Sequence, residues 1–323
     1  MLIVQKFGGS SLADLQRLRR AAGIAAEARR RENRVVLVVS AAGNSTDELL
    51  ALARRILPHP PRRELDALMA TGEQRSAALM AMMLESLGCP ARSFSGAQAG
   101  IHTDGSHGAA SILRVEPKRL LRSLDVGEIA VVAGFQGLSP KGDVTTLGRG
   151  GSDTTAVALA AALGADRCEI YTDVDGICTA DPRLLPSARL LREIDSRDML
   201  LLAEAGSQVL HPGSVRLAME QSVPLWLLSS FRAGEGTRVL LLPEERRPDL
   251  AGVTRDEAGS SVTVVGRAAD SALLAQLRQD LERSGIPVRS ARAKEGCVSI
   301  TVAPAQLLPA LELCHREIVK SEK

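Results

Sequence analysis

The sequence predicts an α/β protein in which an open, mostly parallel sheet is covered by helices and a small ferredoxin-like module follows. Three observations carry that prediction. Apolar strand-like runs alternate with helical stretches along residues 1–242, the order that builds parallel, helix-covered sheets. The runs at 2–7 and 34–40 are apolar almost throughout, as strands buried on both faces must be. Beyond the charged, proline-bracketed stretch Pro243-Glu244-Glu245-Arg246-Arg247-Pro248, a compact βαββα order begins.

Taken in order, residues 2–7 form the first strand, closed by Gly8-Gly9-Ser10-Ser11. Leu15, Leu18, Ala22 and Ala26 then line one face of a helix over 13–31. The strand at 34–40 ends in the turn Ala41-Ala42-Gly43-Asn44-Ser45-Thr46-Asp47. Two helical stretches follow, the second passing through Thr71-Gly72-Glu73 to about residue 87. Short strands at 91–95 and 128–133 come next, and Pro140 and Gly142 supply turn signals for a hairpin over 134–146. An alanine-rich helix covers 152–163, a strand 167–171, helices 196–204 and 213–221, and a strand 223–228. His211-Pro212 caps the second of those two helices, with proline at its first position. The C-terminal part reads as strand 261–265, helix 269–284, strands 286–292 and 296–302, and helix 304–318. The expected division is a domain over 1–242, a linker over 243–252 and a module over 253–323, without internal repeats.

At 323 residues the chain has room for about two domains. Its 40 basic and 38 acidic residues leave a net charge of +2, so bulk charge makes no case for nucleic acid or a membrane surface. Aromatics are 2% of the residues, with one Trp and one Tyr, which leaves no base-stacking platform. No apolar run approaches about 18 residues, and Lys6 with Gly8-Gly9 interrupts the first strand before it could serve as a secretory signal. Cys89, Cys168, Cys178, Cys297 and Cys314 are odd in number and scattered, the pattern of free packing thiols in a cytoplasmic protein. His102 and His107 lack a third ligand at useful spacing, so no protein metal site is expected.

The richest stretch is Thr145-Thr146-Leu147-Gly148-Arg149-Gly150-Gly151-Ser152-Asp153-Thr154-Thr155. Its three glycines let backbone approach a ligand closely, and the helix that begins at Ser152 and Asp153 points free N–H groups and a positive dipole end at it. Arg149 adds a fork-shaped cation able to grip a carboxylate. The combination suits the joining of two anions, such as a nucleotide and an acidic substrate. Lys6-Phe7-Gly8-Gly9-Ser10-Ser11 places a cation at a strand end before two glycines and hydroxyls; taken alone it reads more readily as a plain turn. The turn from Ser40 to Thr46 is of the same kind, and ligands bind open α/β sheets at such strand ends. Glu73 offers a carboxylate where Gly72 loosens a helical pattern, either for a substrate ammonium or as a solvated surface charge. Thr172 and Asp173 suit a ribose, and Asp181 with Arg183 a ribose or phosphates, although an acidic turn closed by Gly176 explains the first pair as well. There is no Gly-x4-Gly-Lys-Ser/Thr loop, no Gly-x-Gly-x-x-Gly after a strand and no protein-kinase signature.

Assembled, these motifs resemble the aspartate kinases of the amino-acid kinase family over about residues 1–240, joined by Gly134-Phe135-Gln136-Gly137 and Val209-Leu210-His211-Pro212. The resemblance implies a carbamate kinase-like sheet domain and transfer of the γ-phosphoryl group of ATP to the side-chain carboxylate of L-aspartate. It implies that Lys6, Gly8, Gly9 and Ser10 hold the moving phosphoryl group and that Ser40 lies near it. By the same resemblance Thr46, Gly150 and Ser152 lie by the aspartate, Arg149 clamps one of its carboxylates and Glu73 takes its ammonium. Asp153 would organise the transfer, and Thr172, Asp173, Asp181 and Arg183 would line the nucleotide pocket. Mg²⁺ is expected through the ATP phosphates. Two positions depart from the pattern: Gln208 stands where the family usually has a Lys, and Gly213 where an Arg commonly follows His-Pro. The tail departs further, since one ACT-like module's length remains and Gly266-Arg267-Ala268-Ala269-Asp270 replaces a ligand loop. A homodimerising role for that module, with weak or absent lysine or threonine inhibition, is therefore expected. A kinase of another amino-acid carboxylate and a non-catalytic amino-acid or nucleotide sensor are the alternatives.

Overall fold

A computed structural model describes residues 1–256 and 258–321, so residues 257, 322 and 323 of the C-terminal module lie outside the described residues. The chain forms two units, one of Met1–Asp175 with Glu220–Gly234, the other of Gly176–Met219 with Glu235–Lys323. The first unit runs β1 (Leu2–Phe7), α1 (Leu15–Arg30), β2 (Arg34–Val39), α2 (Ser45–Ile56), α3 (Arg62–Ser86), β3 (Ala91–Phe94), β4 (Ile101–Thr103) and β5 (Ile112–Val115). It continues through α4 (Lys118–Asp125), β6 (Ile129–Ala133), β7 (Gln136–Leu138), β8 (Val144–Thr146), α5 (Gly151–Leu163) and β9 (Arg167–Thr172). After β10 (Glu193–Asp195), α6 (Ser196–Glu204) and α7 (Pro212–Glu220), the chain returns to the first unit for β11 (Leu225–Ser229). The second unit then resumes with β12 (Thr237–Leu240), β13 (Gly252–Arg255), β14 (Ser261–Val265), α8 (Ser271–Arg283), β15 (Ser290–Lys294), β16 (Cys297–Thr301) and α9 (Leu307–Ser321).

In the first unit, neighbouring parallel strands follow the order β11-β9-β1-β2-β6-β3. The central strands are apolar on both faces because helices cover both: α1 and α3 pack on one side and α5 on the other. Asp14 caps α1 by accepting the Arg17 N–H at 2.8 Å, and Leu18, Ala21, Ala22, Ala25 and Ala26 are its buried stripe. Gly164 in the left-handed conformation closes α5. Phe7 and Tyr171, at the ends of β1 and β9, stack with centroids 4.6 Å apart and hold those two strand ends together.

The expected hairpin forms as β7–β8, turned by the Gly142 N–H donating to the Ser139 carbonyl. It belongs to a second sheet of order β5-β4-β7-β8 that the sequence did not reveal. Its β4 and β5 are three and four residues long, too short for period-2 alternation to stand out. The expectation that Gly72 loosens its helix is corrected: α3 is continuous over 25 residues, and a Cβ at Gly72 would sit 2.9 Å from the Ala41 Cβ. Glycine there lets the helix pass close beneath the turn after β2.

The second unit carries the expected βαββα order, extended by β13 into an antiparallel sheet β13-β14-β16-β15. Val262, Val264, Val298 and Ile300 meet Leu277, Leu281, Leu311, Cys314 and Ile318 in its core. The 243–248 stretch is fixed within this unit, because Arg247 grips buried Asp198 through two bonds of 2.6 and 3.0 Å. None of the five cysteines, all among the described residues, is joined in a disulfide, and Cys89, Cys168 and Cys314 are buried. Among the described residues, no helix is long and apolar enough to cross a membrane.

Leu37, fully buried in β2 between β1 and β6, tests the sheet core. Leu37→Ala should lower the unfolding free energy by about 2–5 kcal/mol in urea titrations, with an unchanged m-value.

Candidate functional site

The carboxyl ends of β1, β2, β6 and β9 open into turns that are locked to one another by close backbone approach. A Cβ at Gly9 would lie 2.6 Å from the Ala41 carbonyl oxygen, and the Gly43 N–H donates to the Gly9 carbonyl at 2.9 Å. The Ser40 N–H reaches the Phe7 carbonyl at 3.1 Å, and the Gly8 N–H reaches that of Tyr171 at 3.4 Å. Across the sheet end, a Cβ at Gly134 would meet the Ser152 Oγ at 2.8 Å, which seats the first turn of α5 on the end of β6. Gly148 and Gly150 both have positive φ, 76° and 70°, so the loop entering α5 requires glycine at each.

Charge gathers around these turns. The Lys6 Nζ lies 2.7 Å from the Asp153 Oδ1, the two side chains 13% and 15% exposed, so β1 and the first turn of α5 meet through an ion pair. Arg149, between the two left-handed glycines, is exposed and has no hydrogen bond or ion pair among the described residues. Glu73 is only 4% exposed. Its Oε1 accepts the Ala41 N–H at 3.1 Å, while its buried Oε2 has no partner. Burial pushes its carboxyl up to about 7, the Ala41 N–H offsetting part of that rise. Glu73 is therefore not the solvated helix charge that the sequence left open.

The other expected residues take these places. Gly8 and Gly9 form the turn after β1 and Ser10 is exposed beside it, its carbonyl held by Arg17 at 2.8 Å. Ser40 and Thr46 are half-buried, Ser40 at the end of β2 and Thr46 in the first turn of α2. Thr172 ends β9 with its hydroxyl 3.2 Å from the exposed Asp173 carboxylate. Gln208 is exposed and His211 caps α7, its Nδ1 accepting the Gly213 N–H at 3.2 Å. Asp181 and Arg183 belong to the second unit, where Arg183 closes bidentately on Asp181 and lowers its pKa. The first unit thus gathers Lys6, Gly8, Gly9, Ser40, Glu73, Gly150, Ser152 and Asp153 around linked turns. Asp66 went unnoticed in the sequence, and Gln136 stood out only within the Gly134-Phe135-Gln136-Gly137 motif, with no role of its own. Gln136 spans from the Ala70 carbonyl to the Gln74 amide at 3.0 Å each, and Asp66 is buried two helical turns before Glu73. The seven-residue spacing of Asp66 and Glu73, which puts both on one face of α3, was the available signal.

With the Glu73 pKa raised from about 4.5 to about 7, the unfolded chain releases this proton earlier than the folded one, so stability falls as pH rises between those values. Glu73→Gln should leave the stability of the ligand-free protein near wild type at pH 5 and raise it at pH 8, by at most about 3 kcal/mol, read as a higher melting temperature at pH 8 only. The same shift at both pH values would contradict the buried-charge assignment.

The family model for the amino acid kinase family matches residues 1–229. An aspartokinase of Mycolicibacterium smegmatis is 53% identical over 269 residues, 82% of this chain and 64% of its own length. One of Thermus thermophilus is 48% identical over 287 residues, 89% of this chain and 71% of its own. The chain thus spans about two thirds of the length of these curated relatives. The structure of E. coli aspartokinase III in complex with aspartate and ADP aligns with a TM-score of 0.69 at 27% identity, over 97% of this chain and 84% of that one. With its sheet, its glycine turns and these relatives together, the chain belongs to the amino acid kinase family.

Proposed function

We propose that this protein is an aspartate kinase, transferring the γ-phosphoryl group of ATP to the side-chain carboxylate of L-aspartate to give 4-phospho-L-aspartate. The observation that carries the reading is the set of incomplete charges at the linked turns: unpaired Arg149, and Glu73 with a free buried oxygen, around the Lys6–Asp153 pair. A dicarboxylic amino acid supplies what both lack, a carboxylate for Arg149 and an ammonium for Glu73. The aspartokinase relatives support the same substrate.

A carboxylate nucleophile with a reference pKa of about 3.9 is ionised at neutral pH and needs no general base. The obstacle is repulsion between two anions, so positioning and neutralisation do the work. One aspartate oxygen forms a bond to the γ-phosphorus while the bond to the β,γ-bridging oxygen breaks, and ADP departs with that electron pair. Lys6 turns from Asp153 to the moving phosphoryl group, with the backbone at Gly8 and Gly9 and the Ser10 hydroxyl beside it and Ser40 near it. Asp153 keeps Lys6 aligned between turnovers. Arg149 holds an aspartate carboxylate, Thr46, Gly150 and Ser152 flank the substrate, and Thr172 and Asp173 face the nucleotide sugar. Mg²⁺ arrives as the phosphate-bound ion of the nucleotide. The 253–323 module serves homodimerisation, and the enzyme acts in the cytoplasm.

Hydroxylamine trapping tests the chemistry directly, since it captures an acyl phosphate as a hydroxamate. Hydroxamate should form with ATP, Mg²⁺ and aspartate but not with glutamate or without substrate. Arg149→Lys, which keeps charge but loses the paired hydrogen bonds, should lower kcat/KM for aspartate by about 10- to 100-fold. No aspartate-dependent hydroxamate from folded protein that still binds ATP would favour the sensor reading.

A further inference from the structure

Arg149 faces solvent with nothing of its own to hold it, so its position is set by the loop that carries it. That loop is anchored from below by one buried side chain. Asp66, on α3 and 2% exposed, accepts the Thr146 hydroxyl on its Oδ1 at 2.6 Å. Its Oδ2 accepts the Gly108 N–H at 3.1 Å and the His107 Nδ1–H at 2.8 Å. Thr146 is the last residue of β8, three before Arg149, and its carbonyl accepts the Ala110 N–H at 2.9 Å. The same 107–110 segment touches the loop again, since a Cβ at Gly148 would lie 3.5 Å from the Gly108 carbonyl. One carboxylate therefore joins three chain segments at the root of the Gly148-Arg149-Gly150 turn. The helix bearing it also bears Glu73, seven residues on and on the same face.

We propose that Asp66 is a positioning residue for Arg149, fixing the substrate-carboxylate clamp at a set distance from Glu73 along α3. It makes no contact with substrate; it acts by holding the entry to the Arg149 turn to the helix that also supplies the ammonium partner. Three donors converge on a carboxylate that is almost wholly buried, and a structural core position would be filled more simply by an apolar residue. The proposal rests on the reading of Arg149 as the aspartate clamp, and its test has one arm that does not depend on activity.

Three variants are compared with wild type after circular dichroism confirms folding. Asp66→Asn removes the charge, Thr146→Val removes the hydroxyl at constant shape, and Thr146→Ser restores it. Hydrogen–deuterium exchange of a peptide covering 145–151 should accelerate in Asp66→Asn and Thr146→Val and remain as wild type in Thr146→Ser, with the β1 peptide unchanged in all. In steady-state kinetics the first two should raise KM for aspartate about 10- to 100-fold with KM for ATP nearly constant. Placed in an Arg149→Ala background, Asp66→Asn should cause no further loss. Unchanged exchange over 145–151 overturns the proposal whatever the activity, and so does a fully additive loss in the double variant. If wild type forms no aspartate hydroxamate, the kinase reading fails while the exchange result still decides whether Asp66 holds the turn.

Discussion

Two buried carboxylates on one continuous helix are the constraint on which the site depends. Asp66 and Glu73 lie on the same face of α3, about 10 Å apart along its axis, and each accepts hydrogen from a turn belonging to another part of the chain. Ala70 and Gln74, from the same helix, hold Gln136, and Arg75 reaches the Ser45 hydroxyl at 2.6 Å. α3 thus acts as a ruler against which the turns after β2 and β8 and the strand β7 are set. That arrangement needs an unbroken helix and a glycine where it passes Ala41, and the sequence supplies both.

Such a ruler is costly, because a carboxylate taken out of water must be paired or protonated. Asp66 is fully engaged, with partners on both oxygens. Glu73 is left half-engaged, and its raised pKa records that debt. The same contrast separates Lys6, paired with Asp153, from Arg149, paired with nothing described. Incomplete groups among otherwise well-satisfied ones are what a ligand site requires, since stability is surrendered where the ligand will later restore it.

How far the sequence could be read follows from the range of each interaction. β1 and α6 fall where apolar patterning places them, because β1 is buried along its length but for Lys6 and α6 buries one face through Met199, Leu202 and Ala203. The glycine turns were legible because the need for glycine is local, written in φ at Gly148 and Gly150. The β4–β5 pair was not, since strands of three and four residues carry too few positions for periodicity. Asp66 was hidden for a different reason: its partners lie 41, 42 and 80 residues away, and nothing near it in sequence announces them. Glu73 was found, but its state was not, because burial beneath the Ala41 turn arises only when α3 crosses β2's end.

The most direct test of the account is calorimetric titration of the protein with aspartate at pH 6.5 in buffers of different ionisation enthalpy. A Glu73 that is largely protonated when free and ionised by the substrate ammonium must release its proton on binding. The account predicts release of a substantial fraction of one proton per aspartate bound, absent in Glu73→Gln. Binding heats that do not depend on the buffer, or a release that survives Glu73→Gln, would contradict it.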